Sequence, residues 1–114
     1  MKHPRAQLDD LLLHPVRFSI LALLHHVAKA EFAAVRDAVE VSDSVLSKQL
    51  SVLEGAGYVA VEKRFLGKRP NTRLSLTARG REVFATHLEA LQAVVNVGLP
   101  AEPHERGAAR RGEA

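Results

Sequence analysis

The chain has no cysteine among its 114 residues. Disulfides, thiolate metal sites and thiol redox sensing are therefore excluded together. Tryptophan is absent, and the aromatics are four Phe and one Tyr. Phe18, Phe32, Phe65, Phe84 and Tyr58 are scattered along the chain, so they read as core residues. A base-stacking protein instead gathers its aromatics on one sheet face. No apolar run approaches the roughly 18 residues of a membrane span. The start, Met1-Lys2-His3-Pro4-Arg5, is not followed by the apolar stretch of a secretory signal. The expectation is a soluble, cytoplasmic protein with no membrane partner. Enzyme signatures are missing too: there is no Gly-rich phosphate loop, no G-x-S-x-G and no H-E-x-x-H. The serines at 42, 44, 47 and 51 have no His or Asp in their segment placed to activate them, so no catalytic residue and no cofactor are assigned. No metal site is expected either. His25 and His26 are adjacent on a helix and point about 100° apart.

What is present is an uneven charge. Residues 62–81 hold Lys63, Arg64, Lys68, Arg69, Arg73, Arg79 and Arg81 against Glu62 alone, a net +6. The other 94 residues carry 9 basic and 12 acidic groups, a net −3. A mildly acidic body with one basic segment suggests contact with a polyanion.

Periodicity places the elements. Residues 5–13 read as a short helix through Leu8, Leu11 and Leu12. His14-Pro15 interrupts it, and Pro15 opens a second helix to about Lys29, with Val16, Ile20, Leu23, Leu24 and Val27 on its apolar side. Ala30-Glu31-Phe32 is a strand fragment, Ala33 to Val39 a short helix, and Glu40-Val41-Ser42 a tight connection. The next helix is capped by Ser42 or Asp43. At about 100° per residue, Val45, Leu46, Leu50, Val52 and Leu53 fall on one side, and Asp43, Ser44, Ser47, Lys48 and Ser51 on the other. Gln49 lies nearer the apolar side. Small polar side chains let a helix approach another surface closely. Tyr58 to Phe65 and Thr72 to Leu76 are strands, joined by Leu66-Gly67-Lys68-Arg69-Pro70-Asn71, which carries two adjacent cations at its tip. Thr77 caps a last helix to about Val97, striped by Phe84, Leu88, Leu91 and Val95. Arg17 and Glu54 are candidates for an internal ion pair.

A short helix turned into a second helix with a polar outer face, followed by a hairpin with a basic tip, is a winged helix-turn-helix. The fold class is mostly α with a small antiparallel β-hairpin. Residues 1–97 form one DNA-binding and dimerisation domain, and residues 98–114 a disordered tail. The partner is double-stranded DNA. Ser44, Ser47, Lys48 and Ser51 face the major groove, and Lys68, Arg69 and Arg73 meet the backbone or the minor groove. Leu8, Leu11 and Leu12, with Phe84, Leu88, Leu91 and Val95, pack against a second copy. The competing reading is a winged helix that binds proteins. Such a module usually presents apolar residues where this chain has Ser, Lys and Arg.

The run Ser42-Asp43-Ser44-Val45-Leu46-Ser47-Lys48-Gln49-Leu50, with Leu53-Glu54 and Ala56-Gly57-Tyr58-Val59, resembles the recognition helix of small bacterial winged-helix regulators related to the MarR and ArsR groups. Glu62 to Phe65, Gly67 to Thr72, Leu76-Thr77 and Gly80-Arg81 are similar to the wing and last-helix start of that family, and His14-Pro15 with Arg17 to its N-terminal pattern. The resemblance spans roughly residues 8–95. It implies a homodimeric transcriptional regulator, usually a repressor, on a pseudo-palindromic operator. It leaves any small-molecule effector open. Family members that sense through cysteine, or through Asp/His pairs on the last helix, have no counterpart here, where only His87 and Glu89 stand together.

Overall fold

The computed structural model describes residues 2–100. Two 3-10 turns, Pro4–Gln7 and Asp10–Leu13, lead into α1 (Pro15–Leu24), β1 (Ala30–Glu31), α2 (Phe32–Val39), α3 (Asp43–Gly55), β2 (Val59–Leu66), β3 (Arg69–Leu76) and α4 (Ala78–Asn96). The expected tail of residues 98–114 lies outside the described residues beyond Pro100.

The N-terminal helix expected over 5–13 is replaced by the two turns, with Leu8 extended between them. The i, i+3 spacing of Leu8 and Leu11 suits a 3-10 turn as well as an α-helix, so spacing alone does not separate them. Asp9 caps the second turn by accepting from the Leu11 N–H at 2.9 Å. His14 Nδ1 accepts from the Val16 N–H at 3.2 Å and starts α1, with Pro15 as its first residue. α1 stops at Leu24, short of the expected Lys29, and Val27 stands exposed beyond it. The chain has to become extended by Ala30, which pairs with Leu74.

The sheet is antiparallel in the order β1-β3-β2. Its hairpin register runs from Val59↔Leu76 to Leu66↔Arg69, so the turn is Gly67-Lys68 alone and the six-residue connection is shortened. Gly67 has φ +66, the position that a two-residue hairpin gives to glycine. Arg69, Pro70 and Asn71, expected in the turn, belong to β3. Pro70 is tolerated there because the pair flanking the turn exchanges the ladder bonds, which makes Phe65↔Pro70 a non-hydrogen-bonded pair. Its missing N–H would have pointed outward, and β1 pairs only with Arg73 and Leu74, farther down the strand.

One core joins the second 3-10 turn, the helices and the sheet. Leu12, Ile20, Leu21, Leu24, Val35, Leu46, Leu50, Leu53, Val59, Leu74 and Phe84 form it, each fully or almost fully buried. At roughly 1.5–3 kcal/mol per buried side chain, this cluster is the main stabilising element. Phe18 packs on Phe84 with ring centroids 5.6 Å apart. Two expectations about α4 and the N-terminal segment are corrected here. Leu12 (2% exposed) and Phe84 (4%) are used up inside the chain's own core and have no surface to offer a second copy. The line of α4 that faces the core is Gly80, Phe84, His87 and Ala90, while Leu88, Leu91 and Val95 form an exposed neighbouring stripe.

α4 is fastened to the hairpin base. Thr77 Oγ1 accepts from the Gly80 N–H at 2.9 Å and donates to the Gly57 carbonyl at 2.6 Å. Gly80 lies so close to Tyr58 that a Cβ would collide with the Tyr58 carbonyl. The N-terminal segment is fastened in turn. The Tyr58 hydroxyl donates to Asp9 Oδ2 at 2.6 Å, and the Asp9 N–H donates to His87 Nδ1 at 3.0 Å. An accepting Nδ1 places the proton of the neutral imidazole on Nε2. Burial lowers the His87 pKa, an effect that the Asp9 carboxylate opposes. Burial and the Asp9 hydrogen bond raise that of Tyr58.

Candidate nucleic-acid interface

The helix-turn-helix is α2, the turn at Glu40 and α3. Glu40 takes the left-handed conformation (φ 58), and its N–H donates to the Arg36 carbonyl. The Val41 N–H reaches the same carbonyl at 3.3 Å. The Arg36 side chain closes the corner from outside: Nε donates to Asp37 at 2.9 Å, and Nη1 donates to Asp43, the first residue of α3, at 2.9 Å. The two carboxylates raise the Arg36 pKa, Asp37 more than Asp43. Ser42 caps α3 by accepting from the Val45 N–H at 3.2 Å. These contacts set the angle at which α3 leaves the turn.

α3 buries Leu46, Gln49, Leu50 and Leu53. Val45, expected on that side, is 40% exposed, and Gln49 is buried in its stead. Burying an amide is costly unless it is bonded, and Gln49 Oε1 accepts from Arg17 Nη1 at 2.9 Å. Arg17 Nε donates to the Leu11 carbonyl at 2.8 Å. The expected Arg17–Glu54 ion pair is therefore corrected: Arg17 links α1, α3 and the N-terminal turn from within. Glu54 instead borders the outer cleft. Ser44, Ser47, Lys48 and Ser51 are all exposed on the opposite side of α3, as the 3.6-residue period requires.

The wing is the outer half of the β2–β3 hairpin. Lys68 occupies the turn and Arg69 the first position of β3, both exposed. Arg64 Nε donates to Asn71 Oδ1 across the strands at 3.1 Å and stiffens the ribbon. Arg73 sits lower. It is half-buried, with Glu31 and Glu62 as its register neighbours on either side. Glu62 forms its ion pair with Lys29, at 3.0 Å, and this cation holds its carboxyl below the usual range. Phe65, expected in the core, is 69% exposed, and Leu66 is 54% exposed. Their strand simply extends past the last core pair, a fact that composition cannot show.

Between α3 and the wing runs an open cleft of about 520 Å³. Ser47, Ser51 and Glu54 of α3 line one side and Lys63, Arg69, Asn71 and Thr72 of the wing the other, with Glu31 and Phe32 also in the lining. Residues far apart in sequence, 47–51 and 63–72, thus face one space. Lys63, which the sequence offers beside Arg73 as a further contact on the strands, lines this cleft, and strand alternation puts it on the face of Val59 and Val61; Asn71, expected only as a turn residue, lines it too.

A family model described as a winged helix DNA-binding domain matches residues 16–95. The uncharacterized protein MJ0432 of Methanocaldococcus jannaschii is 32% identical over 83 residues, covering 72% of this chain and 90% of that protein. Among solved structures, a transcriptional regulator homologue from Pyrococcus horikoshii OT3 is 30% identical, with a TM-score of 0.72 over 77% of this chain and 87% of that one. The transcriptional repressor CouR, bound to a 23-mer DNA duplex, shares the fold at 23% identity and a TM-score of 0.63, over 82% of this chain and 63% of CouR. Structures of like fold include a zinc-responsive MarR family member of Lactococcus lactis. The helix-turn-helix, the three-stranded sheet and the matched span agree: the chain belongs to the winged helix DNA-binding domain family and is a DNA-binding regulator, not an enzyme.

Proposed function

We propose that this protein is a homodimeric, cytoplasmic repressor that binds a pseudo-palindromic operator and blocks transcription by occupying it. The observation that carries the reading is the shared cleft, with small polar side chains of α3 on one side and wing cations on the other. A helix in the major groove and a wing over the adjacent minor groove would seat one sugar–phosphate strand between them. Ser44, Ser47, Lys48 and Ser51 read base edges, each serine alone weakly and Lys48 by donating to guanine or phosphate. Lys68 and Arg69 supply the backbone charge. Arg73, between two carboxylates, serves the sheet more than the DNA.

The dimer reading rests on the exposed stripe Leu88, Leu91 and Val95 of α4, with Leu8 and Leu11 half-buried on the N-terminal segment. Covering that stripe would add apolar burial that so small a domain lacks. Two half-sites about 34–36 Å apart would then follow from the two-fold axis.

The test is selection of bound duplexes from a random-sequence pool, with the mass measured by light scattering. A recurring inverted repeat and a mass about twice the 12.4 kDa chain are expected. Leu88→Glu should weaken dimer and DNA binding together. A monomer at micromolar concentration would defeat the dimer. Binding without sequence preference would defeat the operator.

A further inference from the structure

The wing tip carries large apolar side chains where an electrostatic clamp has no need of them. Phe65 and Leu66 are the last two residues of β2 and are more than half exposed. Successive strand residues point to opposite faces, so each face of the tip presents one of them. Phe65 is opposite Pro70, which lines the cleft, and Leu66 is opposite Arg69. Four cations surround the pair: Lys63, Arg64, Lys68 and Arg69. One exposed apolar residue on each face needs no cover of its own, but the surrounding charge directs the tip toward a polyanion, and a polyanion with apolar surface inside it would cover both side chains.

The hairpin has the reach for this. The tip pair Leu66/Arg69 stands five positions beyond Val61/Leu74, the outermost pair containing a fully buried side chain, which is about 17 Å at strand rise. With a sugar–phosphate strand in the cleft, the tip extends past that strand into the minor groove. There the backbone is negative on both rims, the sugar walls are largely apolar and the base edges on the floor are polar, so apolar base faces are reached only where a step unstacks. A ribbon two strands wide does not enter a groove of about 6 Å unaltered, so entry of the tip requires the groove to open.

We infer that the wing tip is an apolar wedge: Phe65, backed by Pro70 and assisted by Leu66, enters the minor groove, partly unstacks a base step and bends the duplex. Apolar side chains inserted in this way kink DNA by about 20–90° toward the major groove. The wing then selects flexible pyrimidine–purine steps at a distance from the bases that α3 reads. This inference rests on the DNA-binding mode proposed above, and its test separates the two.

The probe is a duplex recovered from the random pool, end-labelled for energy transfer, with 2-aminopurine placed in turn at each step under the wing. The full-length protein should shorten the end-to-end distance and brighten one 2-aminopurine position. Phe65→Ala should remove at least half of the bend and the fluorescence gain. It should weaken binding about tenfold, the size of one lost base–aromatic contact, and leave the salt dependence unchanged, because no charge is removed. Phe65→Leu should keep part of the bend. Both variants should melt with the parent, since Phe65 takes no part in the core. A straight duplex in the parent complex, or a bend that Phe65→Ala does not alter, overturns the wedge and leaves DNA binding standing. A parent that binds no duplex overturns both. Affinity lost with the salt slope and not with the bend would show that Phe65 only holds the cations in place, which also overturns the wedge.

Discussion

α3 and the wing face the same cleft but are built on opposite terms. α3 is almost neutral on its outer side, where Lys48 stands against Glu54 and Asp43 is paired with Arg36, and it is fixed from behind by the Ser42 cap, that Arg36–Asp43 pair and the buried Gln49–Arg17 bond. The wing has strong charge and, among the described residues, no core beneath its outer half, which is supported by the ladder and the Arg64–Asn71 bond. The difference separates two tasks. A rigid neutral face can discriminate hydrogen-bond patterns but adds little long-range attraction. A cationic ribbon attracts any duplex and discriminates by shape.

The largest expected effect attacks the wing. Lys68→Ala with Arg69→Ala should lower the slope of log K against log salt by about 2 per subunit, hence about 4 for a dimer, at about 0.9 per phosphate contact. Titrations at several salt concentrations, on specific and random duplexes alike, measure it. An unchanged slope in a folded variant would remove the wing from the electrostatics and erase the contrast with α3.

A smaller and more selective effect belongs to the helix. Ser47→Ala with Lys48→Ala should cost roughly 10- to 100-fold on the selected duplex, the scale of one or two base contacts. On random DNA the loss should be several-fold smaller. Competition between the two duplexes reads the ratio directly. Equal losses would reduce α3 to a second backbone contact.

The smallest effect falls on the scaffold that both share. His87 accepts from Asp9 only when neutral, and burial lowers its pKa in the folded chain. The unfolded chain, with histidine near 6.5, therefore takes up the proton first. Stability is full above that pH and declines as pH falls below it, by at most about 1.4 kcal/mol per pH unit for one proton. Chemical denaturation between pH 7 and pH 5 should show this decline in the parent and a shallower one in His87→Gln. Glu62, held low by Lys29, releases its contribution only below the ordinary carboxylate range and does not confuse that window. A flat profile would show that the Asp9–His87 bond contributes nothing measurable.

Much of this was legible in advance, and the residues explain which parts. Ser42 and Thr77 announce their helices because capping is local chemistry, and the serine face of α3 follows from helical period alone. The end of α1 was not legible, since no glycine or proline marks Leu24 and the stop is imposed by Ala30 pairing with Leu74, 44 residues away in sequence. The stripe of α4 misled because its core line runs through Gly80, His87 and Ala90, none of which is a large apolar residue. Pro70 and Asn71 imitate a turn, yet a register that leaves the Pro70 nitrogen facing outward admits them to a strand. The exposed wing tip was missed for a related reason: Phe65 has the composition of a core residue and the position of a surface one.

The anchoring of α3 from behind has a consequence for how such a protein can change over time. Among the described residues, Ser47, Lys48 and Ser51 make no side-chain hydrogen bond to the rest of the fold. Everything that orients the helix is assigned to other positions. Exposed substitutions without structural partners usually alter stability by no more than about 0.5 kcal/mol. The three outward positions are thus free to vary while the frame stays constant. A duplicated copy could drift to a new address on the chromosome through changes at those sites alone, never passing through an unfolded ancestor.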